Sequence, residues 1–329
     1  MTSTIDAAVP AGGSPPAPPR ADDGRSSGRR RRPLGQALTP YLLLAPAVVA
    51  LLALVGWPAV LVVLTSFRKM DLGELVRGEL VWTGFDNYTT VLGDAEFWKI
   101  TLRTVAFTAA CVVATLLGGL VIALLLRQLG RVVRTVLQVC MVLAWAMPVL
   151  AATTVFQWVF DQRYGILNKT LVLVGLDSFE GHNWFATGPS TLTVIGILVC
   201  WQAIPFVAFS LYAGLLGIPR ELYEAAGMDG ANAWQTFRSV TWPTLRPIVL
   251  MMTFLQLLWD FKVFAQVWAF RQGGPNGEST TLPVLQYLKG IAGSHFGVAA
   301  AVSVLMVLVL LVLTVQYLRM LVRSQEVDL

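Results

Sequence analysis

The sequence predicts an all-α, polytopic membrane protein with six transmembrane helices and both termini in the cytoplasm. Three observations carry that prediction. Of 329 residues, 56% are hydrophobic and only 13% are charged, whereas a soluble chain carries about 25% charged residues. Too few polar side chains remain to cover a water-facing surface, so most of the chain must face lipid. Second, six apolar runs are each long enough to cross a hydrocarbon core, which takes about 20 helical residues. Third, the basic residues are unevenly shared between alternate loops: with the N-terminus inside, 14 of the 24 Lys and Arg fall on the inner side and 8 on the outer. Retention of Lys and Arg on the cytoplasmic side sets topology.

In chain order, residues 1–37 hold six Pro and five Gly with few large apolar residues. Such a segment cannot bury enough surface to offset its ordering entropy, so a disordered, basic, Pro-rich cytoplasmic tail is expected. Its end, Arg29-Arg30-Arg31-Arg32, abuts the first apolar run. That cluster reads as an anchor to anionic lipid or as a twin-arginine export signal. The run that follows is longer than the roughly 7–15 residues of a signal, and no small-x-small cleavage site follows it, which favours the anchor. The membrane domain is expected over 38–323, with spans at 40–64, 105–126, 136–160, 192–216, 248–270 and 298–318. A short cytoplasmic tail, 324–329, closes the chain. Five spans carry no charge; the fifth holds Asp260 and Lys262.

Cys111, Cys140 and Cys200 lie inside apolar runs without metal-like spacing, and His182 and His295 fit no zinc pattern. No metal site, catalytic set or nucleic-acid partner is expected.

The inner loop 217–246 is the long one. Pro219 suits a first helical turn, and Glu221 and Glu224 place negative charge near that helix's positive end. Asp229-Gly230 is a stop, with Gly able to take the left-handed conformation. Asn232 caps a second helix with Gln235 three residues on, and Pro243 and Pro247 are expected to break or kink the chain before span five. The outcome is a helix–turn–helix bracket. Leu222, Ala225, Ala226 and Asp229 share a face whose small residues permit close approach of another surface. From these residues alone, that surface is either a partner protein or the chain's own membrane domain.

Glu224-Ala225-Ala226, three residues, Gly230, nine residues, then Val240-Thr241-Trp242-Pro243 resembles the EAA signature of binding-protein-dependent ABC importer permeases. Val240 and Trp242 stand where the family has Ile and Leu. The run through Asp229-Gly230-Ala231 is similar to the maltose/glycerol-phosphate-type carbohydrate subgroup. Further likenesses span nearly the whole chain after the tail: Trp57-Pro58, Ser66-Phe67, Gly84-Phe85 with Asn87-Tyr88, Gly165 with Asn168, Trp201 with Pro205-Phe206, Gly273-Gly274-Pro275, and Gly297 with Ala299-Ala300. Arg103, Ala265 and Arg271 depart from the pattern, where Asn, Asp and Thr are common.

The resemblance implies a type I ABC importer permease fold and a coupling helix at 221–230 seated on a separate ATPase subunit. Glu221, Glu224, Ala225, Ala226, Asp229, Gly230 and Ala231 would form that contact. It further implies a homologous second permease, two ATPase copies that use ATP and Mg²⁺, an extracellular solute-binding protein, and a di- or oligosaccharide as cargo in the cell membrane. The chain itself would bind no cofactor. It contains no Gly-Lys pair, so a phosphate-loop lysine must come from another polypeptide.

Charges at membrane depth cost roughly 2.5–3.5 kcal/mol each on insertion scales and mark a cavity or a partner. An Arg103–Asp260 interhelical pair is expected from their comparable depth. Lys262 is either snorkelling to the interface or lining a pathway. Gln256, Trp259 and Lys262, with Trp201 and Gln202, are the leading pathway candidates, because sugars stack on aromatic faces and hydrogen-bond to amides. Trp145, Gln157, Trp158, Tyr212 and Gln266 add similar groups; tryptophans also anchor interfaces and amides also bridge helices. Three other classes stand against the importer reading. A membrane enzyme would need a clustered catalytic set, whereas the carboxylates lie mostly in loops with no paired motif. A secondary transporter would need its own coupling-ion site near midplane, for which only Asp260 is available, and a multi-helix scaffold leaves the EAA spacing unexplained.

Overall fold

Helices account for about four fifths of residues 34–326, the part of the chain that the computed structural model describes. The four-arginine run and most of the expected N-terminal tail, and residues 327–329, lie outside that range. The chain divides into two units, Met1–Gly56 and Trp57–Leu329. In the first, α1 (Leu34–Leu51) runs into a π-helical turn, Leu52–Gly56.

The second unit begins with α2 (Trp57–Ser66). A two-residue ribbon follows, β1 (Arg68–Lys69) paired antiparallel with β2 (Val81–Trp82), with α3 (Leu72–Arg77) between them. Short α4 (Asp86–Gly93) leads into long α5 (Ala95–Gln128). Then come α6 (Arg131–Ala146), α7 (Val149–Val159), α8 (Ile166–Leu173) and α9 (Gly188–Leu216). The bracket supplies α10 (Arg220–Met228) and α11 (Ala233–Thr236), followed by α12 (Trp242–Phe261), α13 (Ala265–Arg271), α14 (Leu282–Tyr287) and α15 (Phe296–Glu326).

Among the described residues, five helical runs are long and apolar enough to cross a membrane, at Leu42–Ser66, Ala95–Gln128, Gly188–Leu216, Ala233–Arg271 and Phe296–Arg319. The third expected span, 136–160, is not one helix. It is α6 and α7 meeting at 104°. Pro148 has no N–H to donate and pushes the residue before it out of helical conformation, and Met147 sits extended at φ −66°, ψ 129°. The fifth span, also expected to be continuous, stops at Phe261 and restarts at Ala265.

The prolines before span five do not break the chain. Pro243 lies in the first turn of α12 and Pro247 inside it. A π-helical turn, Phe237–Thr241, joins α11 to α12, so of the expected break or kink the break does not occur.

The α5–α9 pair is the most extensive helix contact. Gly118 and Gly119 make it possible: a Cβ on Gly119 would meet Val207 Cγ1 at 2.5 Å, and one on Gly118 would meet Ile204 Cδ1 at 2.8 Å. Around this pair sit apolar clusters, one toward α7 and α13 (Phe160, Leu198, Phe270) and one toward the bracket (Leu126, Leu211, Leu245). Small sequence fragments that seemed scattered meet at corners. Asn87 Nδ2 donates to the carbonyls of Ser66 and Arg68, both at 2.9 Å, Ser66 Oγ and Tyr88 OH lie 2.6 Å apart, and Gly297 leaves room for the Arg68 carbonyl. Asn168 takes the Trp184 indole N–H at 2.7 Å and donates to the His182 carbonyl.

Candidate functional site

Two candidate sites stand out, the bracket and a cavity in the helical domain. In the bracket, α10 ends in a residue of positive φ, Gly230 at +75°. Ala231 N–H returns to the Ala226 carbonyl at 3.0 Å and Asp229 N–H to Ala225 at 3.0 Å, the pattern of a glycine-terminated helix. The next turn is fixed by a reciprocal capping box. Gln235 N–H donates to Asn232 Oδ1 at 2.9 Å, while Asn232 N–H donates to Gln235 Oε1 at 2.8 Å. Tyr223 OH lies 3.1 Å from Thr241 Oγ1, tying α10 to the π-helical turn, and the Arg127 guanidinium covers the Tyr223 ring at 3.9 Å.

No residue of α10 is buried. Glu221, Glu224, Ala225, Asp229 and Gly230 are exposed, and Ala226 and Ala231 are half-buried. The apolar side chains go uncovered too: Met228 is 89% exposed. Hydrogen bonds local in sequence therefore shape the bracket, and its outer face is left open.

The cavity lies where both interrupted spans lose their helical hydrogen bonds. It is an open cleft of about 560 Å³ walled by the α6–α7 break, by α9, and by the α12–α13 break. Irregular backbone at membrane depth is tolerated where it is buried in protein or lines a cavity. Gln202 Nε2 donates to the Met147 carbonyl at 3.2 Å, one of the groups freed by the first break. Aromatic rings line the wall in series, Trp145 to Phe206 at 6.3 Å and Phe206 to Trp259 at 5.4 Å.

The polar groups here are short of partners. Gln256 and Asp260 are 1% and 4% exposed. Both side-chain polar atoms of Gln256, Asp260 Oδ2 and Gln202 Oε1 are buried without a hydrogen-bond partner. Each such atom costs about 1–3 kcal/mol if left unsatisfied, and four of them belong to residues of one cavity.

Of the pathway candidates, Gln256, Trp259, Lys262 and Gln202 come together here. Trp201 does not. One residue along α9 from Gln202, it turns to the opposite flank and packs on Phe156 with ring centroids 5.6 Å apart. Gln157 bridges α7 to α13, donating to the Ala269 carbonyl at 3.0 Å, and Tyr212 is buried. Gln157 is thus a helix-joining group. The expected Arg103–Asp260 pair does not form. Arg103 donates instead to the carbonyls of Gly277 and Thr280, both at 3.0 Å. A guanidinium has several donors, and the turn at 273–281 offers carbonyls free of helix, whereas Asp260 faces inward on α12. Phe206 and Met147 were missed as wall residues; the signal for the second was Pro148 inside an apolar run.

The family model for "Binding-protein-dependent transport system inner membrane component" matches residues 114–324. The chain is 47% identical over 312 residues to the diacetylchitobiose uptake system permease protein DasB of Streptomyces coelicolor, covering 94% of this chain and 95% of the relative. It is 32% identical to the sulfoquinovosyl glycerol transport system permease protein SmoG of Agrobacterium fabrum (89% and 93% covered). It is 30% identical to the trehalose/maltose transport system permease protein MalF of Thermococcus litoralis (86% and 94%). Among solved structures, a bacterial ABC transporter involved in import of the acidic polysaccharide alginate superposes with TM-score 0.76 at 19% identity, over 88% of this chain and 98% of that one. That likeness is one of fold.

Proposed function

The chain belongs to the family of binding-protein-dependent transport system inner membrane components, and from that membership we propose that it is the half of an ABC importer that passes a di- or oligosaccharide across the cell membrane. As a permease subunit it is not itself catalytic. Three relatives named for sugars or sugar conjugates support the cargo class. The cavity with four unpartnered polar atoms beside a series of aromatic rings is the observation that carries it. Hydroxyl groups satisfy amide and carboxylate atoms, and pyranose faces stack on indole.

The bracket would be the coupling element, facing the cytoplasm as the basic residues of its side require. Its open face, Glu221 to Ala231, would seat on a separate ATPase subunit that binds ATP and Mg²⁺. Closure of two such subunits, with a homologous second permease opposite, would swing the cavity from outside to inside. An extracellular solute-binding protein would deliver the sugar. Shifting a two-state equilibrium from 1:99 to 99:1 takes about 5.5 kcal/mol of differential binding, which this chain has no means to supply alone.

The test is uptake into vesicles containing the full transporter with its binding protein. Saturable, ATP-dependent accumulation of a di- or oligosaccharide is expected. Uptake of another solute class, with none of any such saccharide, would overturn the cargo.

A further inference from the structure

A second, larger cavity of about 1220 Å³ opens between the bracket and the adjoining end of α5. Its wall is of three kinds. Leu120, Val121 and Leu124 continue the apolar surface of the second span into it. Trp234 and Trp242 stand at its rim, and two arginines, Arg127 and Arg238, reach it from opposite sides. Among the described residues no acidic side chain lines it. Neither guanidinium has a hydrogen-bond acceptor or ion-pair partner there. Arg127 is not loose, since Tyr223 holds it face-on at 3.9 Å.

We propose that this cleft binds an anionic phospholipid, its phosphate between Arg127 and Arg238 and its acyl chains along Leu120, Val121 and Leu124. The chemistry follows from the wall. Guanidinium groups pair with phosphate oxygens in fork geometry. Tryptophans sit at the level of lipid headgroups. Basic pockets between membrane helices on the cytoplasmic side take anionic headgroups. The site bears on coupling because Tyr223, which positions Arg127, also ties α10 to Thr241. A bound lipid would brace the bracket against α5.

The choice of inner leaflet rests on the cytoplasmic placement of the bracket; the binding does not. The test is therefore made first in detergent. The full chain is mixed with equal phosphatidylglycerol and phosphatidylcholine, and retained lipid is counted by native mass spectrometry. The unaltered protein should retain phosphatidylglycerol in preference, and the double variant Arg127→Gln/Arg238→Gln should lose roughly 30-fold of that preference, two basic residues' worth of attraction. Arg127→Lys/Arg238→Lys should keep most of it. Equal retention of both lipids by the unaltered protein, or unchanged preference in the glutamine variant, would overturn the site.

Should the variants misfold, a phosphatidylglycerol with a photoreactive headgroup is crosslinked to the unaltered chain. Adducts within residues 231–242 are expected, and adducts confined to other segments contradict the proposal. Lipid bound to the lone chain but excluded once the partner permease is assembled would mean a protein fills the cleft, which also overturns it. A bracket found on the outer face by protease accessibility, with lipid still bound, would overturn the topology and spare the site.

Discussion

The bracket and the polar cavity solve opposite problems. The bracket is open, with no buried residue in α10, and its shape is held mainly by bonds between near neighbours in sequence, including the Asn232–Gln235 capping box, with the Tyr223–Thr241 hydroxyl contact tying α10 to the π-helical turn. The cavity is an open cleft walled by helices distant in sequence, and its polar groups are left wanting. A surface that must meet another protein needs a rigid backbone and free side chains. A site that must hold a passing ligand weakly needs buried polar groups whose partners come and go. The contrast predicts that damage to the bracket uncouples the machine, while damage to the cavity spoils cargo handling in a machine that still runs.

The largest effect is expected from Gly230→Pro. Proline fixes φ near −65°, and the native value is +75°, so the turn between α10 and α11 cannot form. ATP-driven uptake and the stimulation of ATPase by loaded binding protein should both fall more than tenfold with assembly intact; uptake within twofold of normal would sink the coupling role. Next comes Gln256→Leu. It removes two unpartnered buried atoms, so thermal stability should hold or rise by about 1 kcal/mol while uptake drops about tenfold. A clear loss of stability would show that Gln256 is a structural bridge after all. Asn232→Ala should be milder, costing about 1 kcal/mol of local helix stability and a few-fold in uptake, seen as faster hydrogen exchange confined to α10 and α11.

The smallest effect lies in a loop between spans. The backbone N–H groups of Tyr164 and Arg163, at 2.7 and 2.9 Å, hold the Asp161 carboxyl below its usual 3.8. A carboxylate whose pKa is depressed by folding contributes stability above the unfolded value and loses it as pH falls through the folded one. Protection of residues 161–165 from exchange should thus weaken only below about pH 4, and Asp161→Asn should abolish that acid dependence. Weakening that starts near pH 6 would point to another group.

The same contrast explains what was legible in the sequence. The bracket could be read residue by residue, because Pro219, Asp229-Gly230 and Asn232 with Gln235 act on their own neighbours. Six apolar segments could be counted, because hydropathy is additive along the chain. The cavity could be read only in part. Gln256, Trp259, Lys262 and Gln202 stood out as polar or aromatic residues in apolar runs, yet nothing local says that Trp201 turns away while Phe206, a hydrophobe among many, forms the wall. The break at Met147-Pro148 is marked in the sequence only by one proline inside an otherwise unbroken apolar run. Arg103 misled because depth alone chose Asp260, whereas the turn carrying Gly277 and Thr280, which supplies its real acceptors, is distant in sequence.

Alternating access driven through the bracket is the central claim, and labelling of the cavity tests it most directly. A cysteine placed at Trp259, 43% exposed on the cavity wall, is probed from each side of sealed vesicles containing the full transporter. Labelling should switch from one side to the other when ATP is bound, and Gly230→Pro should abolish the switch without closing the cavity. Labelling that ignores nucleotide, or a switch that survives in Gly230→Pro, would contradict the account.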